Sequence, residues 1–225
     1  MFVDFQFWRY LTHRDHLLSG LENADAVRGF KKRVGILLGL TILFYILIEL
    51  WGMTTTSLTS FYVLGYLNTY AIARWVSLFG IILWALLYFA FHLFGVSQLL
   101  HILTRVPLRV AAIMQLYVIA ILLIEKTLLF MIYALVGYTT PFSFLSFGPL
   151  AANFLHMEFF HYFFNQFSVF TGLIIAVQLQ FLQRFTDFST KVLLAILLAM
   201  HIIFAAIIAL VSIFPWENVL MGGGL

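Results

Sequence analysis

The stretch Val192–Phe214, VLLAILLAMHIIFAAIIALVSIF, decides the fold class: it carries no formal charge and is interrupted only by His201 and Ser212. A helix needs about 20 apolar residues to cross a hydrocarbon core of ~30 Å, so this segment reads as a membrane span. Working outward, four more stretches meet the same test: Phe167–Gln183, Val110–Val136, Trp75–Gln98 and Val34–Gly52. Their apolar runs are continuous rather than alternating, and open sheet edges cannot face lipid, so the spans are helices and not barrel strands. The predicted fold class is therefore an all-α integral membrane protein with five transmembrane helices.

Composition agrees. Hydrophobic residues make up 64% of the 225 residues, charged residues 9%, and the mean hydropathy is +1.05. A soluble domain carries roughly a quarter charged residues, so this chain could not build a surface for water. Three regions are expected: a cytoplasmic amphipathic and basic region over residues 1–33, a five-helix membrane domain over 34–214, and a short outer tail over 215–225. Met1 to Arg33 holds no apolar core followed by small residues, so the first span is expected to remain in the mature protein.

The absence of cysteine removes disulfides, thiolate metal sites and thiol nucleophiles. The net charge of +3 does not point to nucleic acid, because the basic residues sit at predicted helix ends. Arg9, Arg14, Arg28, Lys31, Lys32 and Arg33 precede the first span. Arg105 and Arg109 lie in the second connection, and Arg184 and Lys191 in the fourth. On the other side stands Arg74 alone, at the predicted start of the second span. The positive-inside rule then places the N-terminus in the cytoplasm and, after five crossings, the C-terminus outside.

The N-terminal region interleaves Phe2, Phe5, Phe7, Trp8, Tyr10 and Leu11 with Arg9, His13 and Arg14. This pattern predicts an interfacial helix, anchored by Phe5, Trp8, Arg9 and Arg14 and continued by Lys31, Lys32 and Arg33 at anionic headgroups. A loose basic anchor that only fixes topology is the blander reading. Ser19 and Glu22 have capping-box spacing for a second helix. The third connection, Gly137–Gln166, has no Lys or Arg yet contains nine aromatic residues between Phe142 and Phe164. A solvated loop would not be so aromatic. A short outer-face helix is expected after Gly148-Pro149, or a re-entrant element, with a partner-docking surface as its functional version.

Ionisable and polar groups inside spans are functional candidates because they are costly there. Glu49 lies sixteen residues beyond Arg33 and Glu125 sixteen beyond Arg109, about 24 Å along each helix. Shared depth suggests that Glu49 pairs with Lys126, locking the first span to the third, or that these groups line a substrate or proton path. His92, Gln115, Gln178 and His201 are read as interhelical glue, or as the lining of a polar cavity. Gly35 and Gly39 match the small-xxx-small pattern for close helix packing. His156, Glu158 and His161 form H-x-E-x-x-H, but the zinc helix motif needs histidines four apart, so metal binding is only a weak alternative. No Walker loop or nucleophile elbow is present, and no cofactor is expected.

The layout resembles Yip1-domain membrane proteins. The likeness lies in Trp84–Leu123, with its Trp-led helix, Thr104-Arg105-Val106-Pro107 turn and polar Gln115-Leu116-Tyr117. It continues in Phe170–Ala205, where Gln180-Phe-Leu-Gln183 precedes a polar turn and Lys191. The third span lacks the proline found in many members. The resemblance is to bacterial members, some of which accompany ABC-type efflux systems. It implies a non-enzymatic accessory or scaffold protein of the bacterial cytoplasmic membrane, whose partners are the lipid bilayer and other integral membrane proteins, with no nucleic acid. A small transporter or channel using Glu49, Glu125, Lys126 and His201 is the alternative, and a membrane metalloenzyme at His156, Glu158 and His161 a weaker one.

Overall fold

In the computed structural model the described residues are 2–4, 18–21, 26–137, 139–140 and 142–214. Helices dominate. They are α1 (Phe30–Trp51), α2 (Thr59–Val63), α3 (Leu67–Ala90), α4 (Ser97–Thr104), α5 (Leu108–Val136), α6 (Gly148–Phe154), α7 (Glu158–Phe164), α8 (Val169–Phe185) and α9 (Thr190–Ile213). A π-helical segment, Phe91–Val96, joins α3 to α4, so residues 67–104 form one uninterrupted rod. Four helical stretches are long and apolar enough to cross a membrane: those containing α1, α3–α4, α5 and α9. The fourth predicted span is α8, an apolar helix of 17 residues.

The helix ends follow from local chemistry. Gly52 and Gly137 stop α1 and α5 at the predicted places, both with left-handed φ (87° and 83°), which glycine adopts without a Cβ clash. Their N–H groups donate to Glu49 O (3.0 Å) and Tyr133 O (2.9 Å). At the end of α4 the same left-handed position is held by Arg105, φ 58°. Pro107 then opens α5. Ser168 caps α8: the Thr171 amide donates to its Oγ at 3.3 Å and the Thr171 hydroxyl donates to Gln166 O at 2.9 Å.

Most of the interfacial helix expected in the first region falls outside the described residues. Phe2–Asp4 and Ala26–Arg28 are short strands paired in parallel, Phe2 opposite Ala26, with one helical turn at residues 18–21. The anchor residues Phe5, Trp8, Arg9 and Arg14, the partner Glu22 of the capping box, and the tail 215–225 lie outside the described residues.

The chain divides into two units. Unit 1 comprises residues 1–139 and 181–187; unit 2 comprises 140–180 and 188–225, so α8 contributes to both. In unit 1 the buried face of α1 is Leu37, Thr41, Phe44, Tyr45 and Glu49, and α1 packs on α3 and α5. Phe44, Tyr45 and Ala85 form a cluster there, joined by Ile81, Tyr88, Leu123 and Phe130. The first and third predicted spans do touch, through rings: Phe130 lies 6.2 Å from Phe44 and 6.0 Å from Trp51. Gly35 and Gly39 take no part. Each stands two residues, about 200°, from Leu37 or Thr41, and no atom lies within 4 Å of where its Cβ would be. Among the described residues, helix packing does not use this pair.

In unit 2, α7 packs on α6 and on α9. The short helix expected after Gly148-Pro149 is α6.

Candidate functional site

The fold concentrates its polar chemistry in four places. The first joins the end of α1 to α3. Glu49 is 1% exposed, and its carboxylate accepts from the Thr54 hydroxyl. Arg74 lies 3.8 Å from Glu49 Oε1 through Nη1, which also donates to Thr55 Oγ1. Its Nη2 donates to the Glu49 carbonyl at 2.9 Å. One guanidinium thus holds a buried carboxylate, the last turn of α1 and the chain leaving it. This corrects the expected Glu49–Lys126 pair. Phe130 sits between Phe44 and Trp51, so Lys126, one turn below, is level with Phe44 and Tyr45. Glu49 stands about 8 Å higher by helical rise. Counting from Arg33 and Arg109 assumed that those markers share a depth, and the ring contacts show that they do not.

The second place holds Lys126, whose Nζ lies 5.5 Å from the centre of the Tyr88 ring. Such a cation over a ring is attracted by its quadrupole. Tyr88 contacts Tyr45 (5.9 Å) and His92 (4.7 Å) edge-on. Lys126 and Glu125 are both half-buried. The sequence-predicted residues Lys126 and His92 thus meet around Tyr88, which sequence reasoning did not single out.

The third place is the hairpin α4–α5. His101 Nδ1 lies 2.7 Å from Val106 O, fastening the turn. Above it Ser97 (1% exposed) and Gln115 (0%) are fully buried. Neither the Ser97 hydroxyl nor either amide atom of Gln115 has a hydrogen-bond partner among the described residues. Gln178 in unit 2 is equally buried, with Oε1 unpartnered there. His201, also in unit 2, sets Nδ1 2.9 Å from Leu197 O of its own helix, so it turns its ring to local use.

The fourth place is the segment that carries α6 and α7 in unit 2, closed on itself where residues 143–148 meet 165–167. Asn165 Oδ1 accepts from the Ser143 amide (2.8 Å) and the Ser146 hydroxyl (2.7 Å), and Phe147 N donates to Phe167 O (3.0 Å). A Cβ at Gly148 would lie 2.8 Å from Asn165 Oδ1 and 3.1 Å from its Cα, so only glycine permits this approach. Phe144, Phe147 and Phe154 remain exposed on the ledge so formed. His156 and Glu158 are exposed, whereas His161 Nε2 lies 2.7 Å from Leu155 O. Among the described residues no group of three His, Asp or Glu is placed to hold a metal ion.

Sequence reasoning missed Arg74 and Asn165. Arg74 had a signal: it is the one basic residue on the side that the positive-inside rule leaves bare. Asn165 had none, since its role depends on a loop folding back from twenty residues earlier. No protein-family model matches the chain, and neither does a curated protein or a solved structure.

Proposed function

We propose that this is a multi-pass accessory protein of the bacterial cytoplasmic membrane, non-enzymatic, which binds a larger integral membrane complex such as an ABC-type exporter. The supporting observation is the α6–α7 ledge: an aromatic surface exposed at Phe144, Phe147 and Phe154 yet held in one shape by Asn165 and Gly148. Fixed exposed aromatics suit a docking surface, because little side-chain or loop order is lost on binding. The kinship to Yip1-domain proteins inferred from Trp84–Leu123 and Phe170–Ala205 supports the same reading.

In this proposal all five apolar helices cross, N-terminus in and C-terminus out, with the ledge on the outer face. Lys31, Lys32 and Arg33 support that orientation. They occupy the first turn of α1, where no acid accompanies them. Cations there oppose the helix dipole, costing ~0.3–1 kcal/mol each, and an anionic inner leaflet offsets this with about 1 kcal/mol each. Co-purification from native membranes at native expression tests the function. Wild-type chain is expected to bring down membrane subunits that a Phe144→Ser/Phe147→Ser/Phe154→Ser variant loses. Recovery of the chain always alone in mild detergent refutes it.

The transporter alternative draws on the Tyr45–Tyr88–His92 contacts and Lys126, which gather titratable groups within unit 1. Proton or solute flux in liposomes that disappears with Lys126→Met, the fold intact, would favour it over the accessory role.

A further inference from the structure

Four helical threonines in this chain, two of them buried and two partly buried, turn their hydroxyls back on their own helix. Thr41, Thr104, Thr127 and Thr186 each donate to the carbonyl four residues earlier, at 2.7–2.8 Å. Ser97 does not. Its carbonyl four residues back is Leu93, inside the π segment Phe91–Val96, where the helix departs from the regular four-residue ladder and the Ser97 amide donates to Phe94 O. The hydroxyl is left free for another partner at a depth where nothing from solvent reaches it.

Gln115 lies at the same level on the next helix. Ser97 and Gln115 are each nine residues from Val106, and α4 and α5 pack as an antiparallel pair, so equal rise puts the two at one level. Gln115 stands about 200° around α5 from Tyr117, which contacts Phe181 at 5.9 Å. It therefore turns away from the α8 end of unit 1. Helical side chains lean toward their own N-terminus, so in an antiparallel pair these two lean apart, which accounts for the lack of a direct bond. Buried polar groups are nearly always satisfied. Three unsatisfied atoms at one level, beside a π segment of the kind common at functional sites, call for a partner that the described residues do not supply.

We infer that the Ser97 hydroxyl and the Gln115 carboxamide together bind a small neutral molecule that both donates and accepts hydrogen bonds. The chemistry is set by the lining: a donor–acceptor hydroxyl, an amide N–H pair and an amide carbonyl, with no formal charge on either residue. Water has this chemistry, as does a small primary amide, and each could supply the two to four bonds such a site needs.

The test uses the full chain in lipid nanodiscs with isotope-labelled glutamine side chains, the Gln115 amide signal being identified by its loss in Gln115→Met. Cross-peaks from that amide to water, weakened at least several-fold in Ser97→Ala, identify water as the ligand. A saturable shift of the same signal with added acetamide, absent in Ser97→Ala, identifies the organic amide instead. Absence of both overturns the proposal. Thermal unfolding supplies a second reading. Gln115→Met keeps the shape, so it lowers the midpoint if a ligand is lost, and adding Ser97→Ala then costs nothing more. A Gln115→Met variant more stable than wild type overturns the site.

Discussion

Replacing Arg74 with methionine strips the counter-charge from Glu49, a carboxylate 1% exposed. At 3.8 Å the attraction between the two charges is about 4 kcal/mol for an effective dielectric near 20. Removing one member of a buried pair costs ~3–5 kcal/mol because the remaining charge is stranded. Arg74 keeps 22% of its side chain exposed, and water there screens part of the interaction, so we expect the lower end, about 3 kcal/mol. For the unfolding entropy of a soluble domain of this size, that lowers the midpoint by roughly 6–12 °C. The assay is thermal unfolding in detergent followed by the intrinsic fluorescence of the five tryptophans. The double variant Glu49→Leu/Arg74→Met removes both charges and should return to within about 1 kcal/mol of wild type, because an apolar pair satisfies the site as well as an ionic one. A single variant with an unchanged midpoint, or a double variant no better than the single, refutes the lock.

Other outcomes follow from single contacts. Gly148→Ala drives a Cβ into Asn165 and should destabilise unit 2 by about 1–3 kcal/mol, seen as faster proteolysis between residues 140 and 168. Arg105→Gly relieves a left-handed backbone at a non-glycine residue and should stabilise the hairpin by roughly 1 kcal/mol, read as a raised unfolding midpoint. Because the chain has no cysteine, single thiols report sidedness directly. On the proposed topology, Ser189→Cys labels only from the cytoplasmic side and Thr56→Cys only from outside, and labelling of both from one side rejects it.

Much of the fold was legible because apolar length and glycine punctuation are local signals. Gly52 and Gly137 closed α1 and α5 where expected, and Gly148-Pro149 opened α6. The helix of the second span, residues 67–104, contains the predicted Trp75–Gln98 and runs beyond it at both ends. Arg74 is inside α3, its charge spent on Glu49, and Ser97-Gln98 are inside the rod because a π segment carries the helix through. The candidate site was less legible for a physical reason. Glu49, Lys126, Gln115 and His92 stood out as costly residues in spans, but who meets whom depends on the offset between helices. That offset is set by interlocking rings such as Phe44, Trp51 and Phe130, which leave no periodic trace in the sequence.

The length of α8 has a consequence for the lipid around it. Seventeen residues rise about 26 Å, against a hydrocarbon core of ~30 Å. On the five-span reading this is a hydrophobic mismatch of about 4 Å, and at a fraction of a kcal/mol per Å the bilayer meets it by thinning locally. The protein would then carry a dimple in the membrane beside it, favour thin bilayers over thick ones, and draw toward it other proteins whose spans are equally short.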